Sequence, residues 1–152
     1  MLVQTFDGFR YQTAAGAPVP AGDFSQVLKK SAAGRILVVD DEPLVRWSIA
    51  ETLRAAGYDV VEADDGDSAL HALIEDDRPP DAILLDLRLP DGDDLHLLET
   101  IKLILPATPV VLMTAFGTPE LAAEARGLGA YAVLEKPFDL AALEPLLDSA
   151  CT

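Results

Sequence analysis

From Arg35 onward the chain alternates between two textures: short unbroken apolar runs, and stretches whose apolar residues recur every three or four positions. Ile36 to Val39 is the first run, and Asp40, Asp41 and Glu42 end it. Pro43 suits a first helical turn, and Val45, Ile49, Leu53 and Ala56 recur at near-helical spacing until Gly57 closes the element. Trp47 is expected to pack on this helix. Tyr58 to Ala63 predicts a second strand, and Gly66 to Glu75 a second helix carrying Ala69, Leu70, Leu73 and Ile74. Ala82 to Asp86 is a third strand, so apolar that it suits the centre of a parallel sheet covered on both faces. Pro90 and Gly92 then turn the chain away. A third helix is expected from Asp94 to about Leu105, burying Leu95, Leu98, Ile101 and Leu105, with Pro106 and Pro109 as punctuation. Val110 to Thr114 is strand four, Pro119 to Gly127 an alanine-rich helix, Ala132 to Glu135 strand five, and Leu140 to Asp148 the last helix. Five strands, each followed by a helix, imply an α/β fold with parallel pairing through right-handed crossovers.

The first 34 residues have another texture. Leu2 to Phe6 and Phe9 to Thr13 flank Asp7-Gly8, a hairpin signal, although two strands alone are marginally stable. Residues 14–22 read as a linker, and Phe24 to Lys30 as a short helix capped by Asp23 that would need a surface to pack on. We expect a mostly mobile extension, followed by one domain over residues 35–149. The charge changes at the same boundary: residues 1–34 carry a formal +1, and the remainder −16 of the total −15.

With 152 residues, half of them apolar, the chain can bury one sizeable core. Its acidity argues against direct contact with nucleic acid or an anionic membrane, and favours cations or a basic protein partner. The single cysteine, Cys151, has no internal disulfide partner. No apolar stretch approaches the ~18 to 20 residues that span a bilayer, and no secretory signal opens the chain, so a cytoplasmic location is expected.

In sheets of this kind ligands bind outside the carboxyl ends of the strands. Strand one ends in Asp40 and Asp41, strand three in Asp86, strand four in Thr114, and strand five in Lys136 before Pro137. A single aspartate at a strand end is ordinary turn chemistry; five polar groups at four strand ends are not. If strands one and three are neighbours, three carboxylates fall within roughly 5 Å, each pair repelling by about 3 kcal/mol at an effective dielectric near 20. That cost calls for a cation. Hard oxygen ligands with room for water suit magnesium, with manganese as the alternative. Lys136 offers a point charge for a phosphoryl oxygen and Thr114 a hydrogen bond.

The segments ILVVDDEP, ILLDLRLPDG, VVLMTA and LEKPFD, in this order and spacing, resemble the receiver domain of two-component response regulators, of the CheY-like superfamily. Val45-Arg46-Trp47 together with Asp86 to Pro90 is similar to receivers of the NtrC kind. The resemblance covers about Arg35 to Asp148. It implies a flavodoxin-like sheet of strand order 2-1-3-4-5 with helices on both faces. It also implies that Asp86 accepts a phosphoryl group from a sensor histidine kinase or phosphotransfer protein. Asp41 matches the direct magnesium ligand, Asp40 the carboxylate that helps hold the metal, and the Arg88 backbone carbonyl completes the protein ligands. Thr114 matches the switch hydroxyl, Ala115 the small residue beside the phosphoryl group, and Lys136 its ammonium partner, with a cis bond expected at Lys136-Pro137. Phosphorylation would then shift the surface of the fourth helix, fifth strand and fifth helix toward a downstream protein target, as a monomer or a phosphorylation-dependent dimer.

Two departures from the family pattern stand out. Val133 occupies the position of a switch aromatic, and Tyr131, on the same face by strand alternation, is the available substitute. No output domain is seen after Thr152, so DNA binding and ATPase activity are not carried over. Rival readings are weaker. An aspartate-nucleophile phosphohydrolase would need an acid where Arg88 stands, a flavin module would need a phosphate loop where DDEP stands, and a phosphorylation-independent docking module would not need all five polar positions. Asp64-Asp65 and residues 91–94 fit helix starts and turns. Asp91 opens no calcium loop, because Lys102 takes the twelfth position. His71 and His96 are expected at the surface, without ligand-spaced partners.

Overall fold

The computed structural model describes residues 34–88 and 95–151. The expected hairpin, linker and short helix before Gly34, the Leu89-Pro90 turn and the acidic run 91–94 lie outside them. The strands are β1 (Arg35–Val39), β2 (Asp59–Ala63), β3 (Ala82–Asp86), β4 (Val110–Thr114) and β5 (Ala132–Glu135). The helices are α1 (Pro43–Ala55), α2 (Gly66–Glu75), α3 (His96–Ile104), α4 (Pro119–Gly127) and α5 (Leu143–Cys151). All strands pair in parallel, in the order β2-β1-β3-β4-β5.

Strand alternation divides the core into two layers. Leu37, Val39, Ile83, Leu85, Val110 and Leu112 face α2, α3 and α4, where Leu73, Leu98, Ile101 and Ala125 meet them. Ile36, Val38, Leu84, Val111 and Met113 face α1 and α5 and pack on Ile49, Leu53, Leu143 and Leu147. Each fully buried Leu or Ile contributes about 1.5–3 kcal/mol. The central strands are buried on both faces, which is why β3 and β4 show no polar alternation.

Helix starts follow local chemistry. Asp65 caps α2 by accepting from the Ser68 hydroxyl and amide, each at 2.7 Å, and these two hydrogen bonds, the hydroxyl's first, hold its carboxyl below the usual range. Thr118 caps α4 through the Leu121 amide at 3.0 Å, with Pro119 following.

Several expectations need correction. Trp47 is 58% exposed, because Ile49, Ala50 and Leu53 take the buried face of α1 and Trp47 falls about 200° round the axis from Ile49. Ile74 is likewise exposed, since Ala69 and Leu73 hold the buried stripe of α2. Tyr58 does not join β2; its ring covers Gly34 and its hydroxyl donates to Asp148 on α5. Leu140–Ala142 is a separate 3-10 turn capped by Asp139, and α5 runs from Leu143 through Cys151. His71 and His96 are exposed as expected, but each has a carboxylate one helical turn away: Asp67 at 3.5 Å and Glu99 at 3.9 Å. Among the described residues no helix is long and apolar enough to cross a membrane.

Candidate functional site

The sheet register sets the site. Val39 pairs with Leu85, so the next residues, Asp40 and Asp86, leave two adjacent strands at the same level. Thr114 ends β4 beside them, and the amide of Lys136 donates to the Thr114 carbonyl at 2.7 Å. The Lys136–Pro137 bond is cis.

Asp40 is fully buried. Its Oδ1 accepts from the Glu42 amide at 2.9 Å and its Oδ2 from Lys136 Nζ at 2.9 Å. A buried carboxylate needs such partners, because an unpaired charge there would cost several kcal/mol. Asp86, 5% exposed, accepts from the Arg88 amide at 3.3 Å, and its Oδ2 lies 3.4 Å from Lys136 Nζ. Lys136 therefore bridges both acids, with the exposed Glu42 at 3.6 Å as a third partner. Thr114 is buried, and its Oγ1 accepts from the Phe116 amide at 3.1 Å.

Asp40, Asp41 and Asp86 each offer a carboxylate oxygen, and these oxygens all lie within 4.8 Å of one another. Three carboxylates against one ammonium leave the cluster negative. Burial, and then the charge of Asp40, push the Asp86 carboxyl up to about 6, with Lys136 acting against that rise. Burial would lower the Lys136 ammonium, but the hydrogen bond and charge of Asp40, followed by Asp86, hold it above its ordinary value. The donor set fits a hard divalent cation: all oxygen, with Asp41 exposed and open to water.

The other sequence-derived residues are placed as follows. Arg88 is exposed, two residues beyond Asp86, and Ala115 lines an apolar groove of about 540 Å³ that also borders Lys136, Leu44, Val45, Pro137 and Phe138. Val133 packs with the layer facing α2, α3 and α4. Tyr131 does not share that face: it precedes β5, and its hydroxyl meets Ser149 Oγ of α5 at 2.9 Å. Alternation does not extend one residue outside the strand.

Three features escaped the sequence. Arg46 on α1 donates to the Asp40 carbonyl at 2.7 Å and pairs with Glu62 of β2 at 3.1 Å, fixing the loop that carries the first acids. Glu42 joins Lys136. The Arg88 guanidinium stands 5.3 Å over the Phe116 ring. Each is a contact between segments, and the only cue in the sequence is helix geometry that points Arg46 back toward the loop before it.

Residues 36–148 match the response regulator receiver domain family. Regulatory protein AtoC of Escherichia coli is 38% identical over 120 residues, which are 79% of this chain and 26% of that protein. The transcriptional regulatory protein PdtaR of Mycobacterium tuberculosis is 37% identical over 117 residues, 76% of this chain and 56% of that one. The chain thus spans from about a quarter to a little over half the length of these relatives. The receiver domain of NtrX from Brucella abortus superposes with a TM-score of 0.70 at 39% identity, covering 76% of this chain and 97% of that one. Strand order, strand-end chemistry and these likenesses agree, and the chain belongs to the response regulator receiver family of two-component systems.

Proposed function

We propose that Asp86 accepts a phosphoryl group from the phosphohistidine of a sensor kinase or phosphotransfer protein, with Mg2+ held by Asp40, Asp41, Asp86 and the Arg88 carbonyl. The observation that carries this reading is the position of Lys136, shared between Asp40 at 2.9 Å and Asp86 at 3.4 Å. An ammonium so held neutralises one acid of the cluster and presents its charge where a phosphoryl oxygen on Asp86 would lie. The Asp86 carboxylate oxygen attacks phosphorus, the P–N bond to the donor imidazole breaks, and the imidazole nitrogen leaves with its electron pair and takes up a proton. The divalent cation supplies charge neutralisation for the carboxylates and the phosphoryl oxygens when bound.

Thr114, beside the same strand end, is the hydroxyl in reach of the new group. Ala115 leaves room beside it, since its side chain ends at one methyl. The groove bordering Lys136 gives a donor helix an apolar seat within reach of Asp86, and Leu44 and Trp47 stand exposed on α1. The signalling unit is residues 35–149, acting in the cytoplasm on a downstream protein target.

Incubation with Mg2+ and acetyl phosphate tests this. The expected product is one acid-stable, base-labile phosphoryl group per chain, absent from Asp86→Asn. Labelling that persists in that variant, or steady turnover of unrelated phosphate esters, refutes the reading.

A further inference from the structure

Phosphorylation has to move something that a partner can read, and much of the expected machinery is fixed. Val133 is a packed aliphatic side chain with no ring to swing. The end of α5 is held from two sides, because the Tyr58 hydroxyl donates to Asp148 and the Tyr131 hydroxyl meets Ser149. The α4 helix is anchored more thinly, with Ala125 as its one fully buried residue among those described. The segment leading into it carries Phe116, whose ring is 68% exposed and covered on one face by the Arg88 guanidinium at 5.3 Å.

Both partners of this stack are tied by their own backbones to the proposed reacting groups. The Arg88 amide donates to Asp86 Oδ1 at 3.3 Å. The Phe116 amide donates to Thr114 Oγ1 at 3.1 Å. A guanidinium over an exposed ring is held by only about a two- to five-fold preference. A phosphoryl group brings about −1.5 to −2 charges and acceptor oxygens that pair with guanidinium far more strongly.

We propose that phosphorylation of Asp86 draws the Arg88 guanidinium off the Phe116 ring, so that the bare ring on the segment before α4 marks the phosphorylated state. This rests on Asp86 being the acceptor. The competition is for one cation: in the unmodified protein the ring holds it, and in the phosphorylated protein the new dianion two residues away does. Thr114 acts in the same direction, since a hydroxyl turned toward the phosphoryl group loosens its hold on the Phe116 amide.

The test uses the full chain carrying Trp47→Phe and Phe116→Trp, so that the single indole reports on position 116. Phosphoryl stoichiometry at Asp86 is measured by mass spectrometry in the same sample as acrylamide quenching. Phosphorylation should raise the quenching constant about two-fold. In the same background Arg88→Gln should start at the higher value and stay there when labelled. In the unsubstituted protein, the Arg88 side-chain protons should lose their upfield ring-current shift on phosphorylation, a readout independent of the indole. If Asp86 is labelled and neither signal moves, or if the quenching constant rises as much on labelling in Arg88→Gln, the inference is wrong and the acceptor reading stands. If Asp86 takes no label, both fall.

Discussion

Replacing Asp86 by asparagine removes a charge that the metal-free fold disfavours, so the variant should be the more stable protein in chelator. The Asp86 carboxyl is raised from an ordinary 3.8 to about 6, first by burial and then by Asp40. At neutral pH this sets on the order of 3 kcal/mol against its charged form. Charge arithmetic accounts for part of this: two carboxylates within 4.8 Å cost about 3.5 kcal/mol each at an effective dielectric near 20, and Lys136 at 3.4 Å returns about 5 kcal/mol, a net repulsion of about 2 kcal/mol. Desolvation adds to that cost. The amide keeps the shape and still accepts from the Arg88 amide.

We therefore expect Asp86→Asn to stabilise the metal-free protein by about 1–3 kcal/mol at pH 7.5, roughly 4–10 °C in Tm for a domain of this size. The pH dependence carries the sign. A carboxyl whose folded pKa lies above its unfolded one binds more protons in the folded state, so the unmodified protein gains stability as pH falls from 7 through 6 toward 4. The variant lacks this gain. The gap should be full above pH 6 and close near pH 4. Millimolar Mg2+ should then raise Tm more for the unmodified protein than for the variant, because ligand binding to the folded state adds stability in proportion to affinity. Thermal melts in chelator and in Mg2+ across this pH range decide the matter. A variant less stable than the parent at pH 7.5 in chelator, with a gap that does not change with pH, refutes the electrostatic account.

Lys136→Met strips the buried Asp40 of its ammonium and should cost about 3–5 kcal/mol in urea unfolding at neutral pH; a loss under 1 kcal/mol would show that Asp40 does not depend on it. Arg46→Ala leaves the Asp40 carbonyl without its donor, and Mg2+ affinity measured by titration calorimetry should fall about ten-fold with the fold intact. Gly129 has φ +104°, and a Cβ there would sit 3.1 Å from Lys102 Cε, so Gly129→Ala should lower the urea midpoint by the equivalent of 1 kcal/mol or more.

Much of this architecture was legible because it rests on period and punctuation. The runs at Ala82–Asp86 and Val110–Thr114 are apolar because both faces are covered, and Asp65, Pro119 and Pro43 mark helix starts by chemistry local to each. The placement of Asp40, Asp86, Thr114 and Lys136 at strand ends was legible too, since the first three directly follow or close an apolar run and Lys136 stands one residue beyond another such run, before Pro137. Side-chain direction beyond an element was not. Trp47 lies on a helix whose three inward residues already fill the face, and nothing local distinguishes an outward tryptophan from an inward one. Tyr131 looked like a neighbour of Val133 by alternation, but it lies one residue before the strand, where its amide still donates to the Val110 carbonyl at 2.8 Å while its ring reaches Ser149 instead. The Glu42–Lys136 contact and the Arg88–Phe116 stack depend on how loops from separate strands lean together, which no spacing encodes.

The pocket's imbalance bears on its proposed use. Asp40 is deeply buried yet bonded on both oxygens, whereas Asp86 has one long amide bond and shares the same ammonium at the greater distance. The first acid therefore fixes Lys136, and the second is left short of positive charge. A divalent cation, held as proposed, would supply what Asp86 lacks. Once Asp86 carries a phosphoryl group, Lys136 already faces it, held in place by Asp40. Little reorganisation of Lys136 is then needed when charge arrives, and preorganised groups of this kind stabilise developing charge most effectively. A mobile lysine without Asp40 would have to lose its own freedom at that moment, which costs about 1.5–2 kcal/mol of side-chain entropy. If Asp86 is the acceptor, as proposed, Asp40 would serve phosphorylation less by binding metal than by keeping the ammonium waiting.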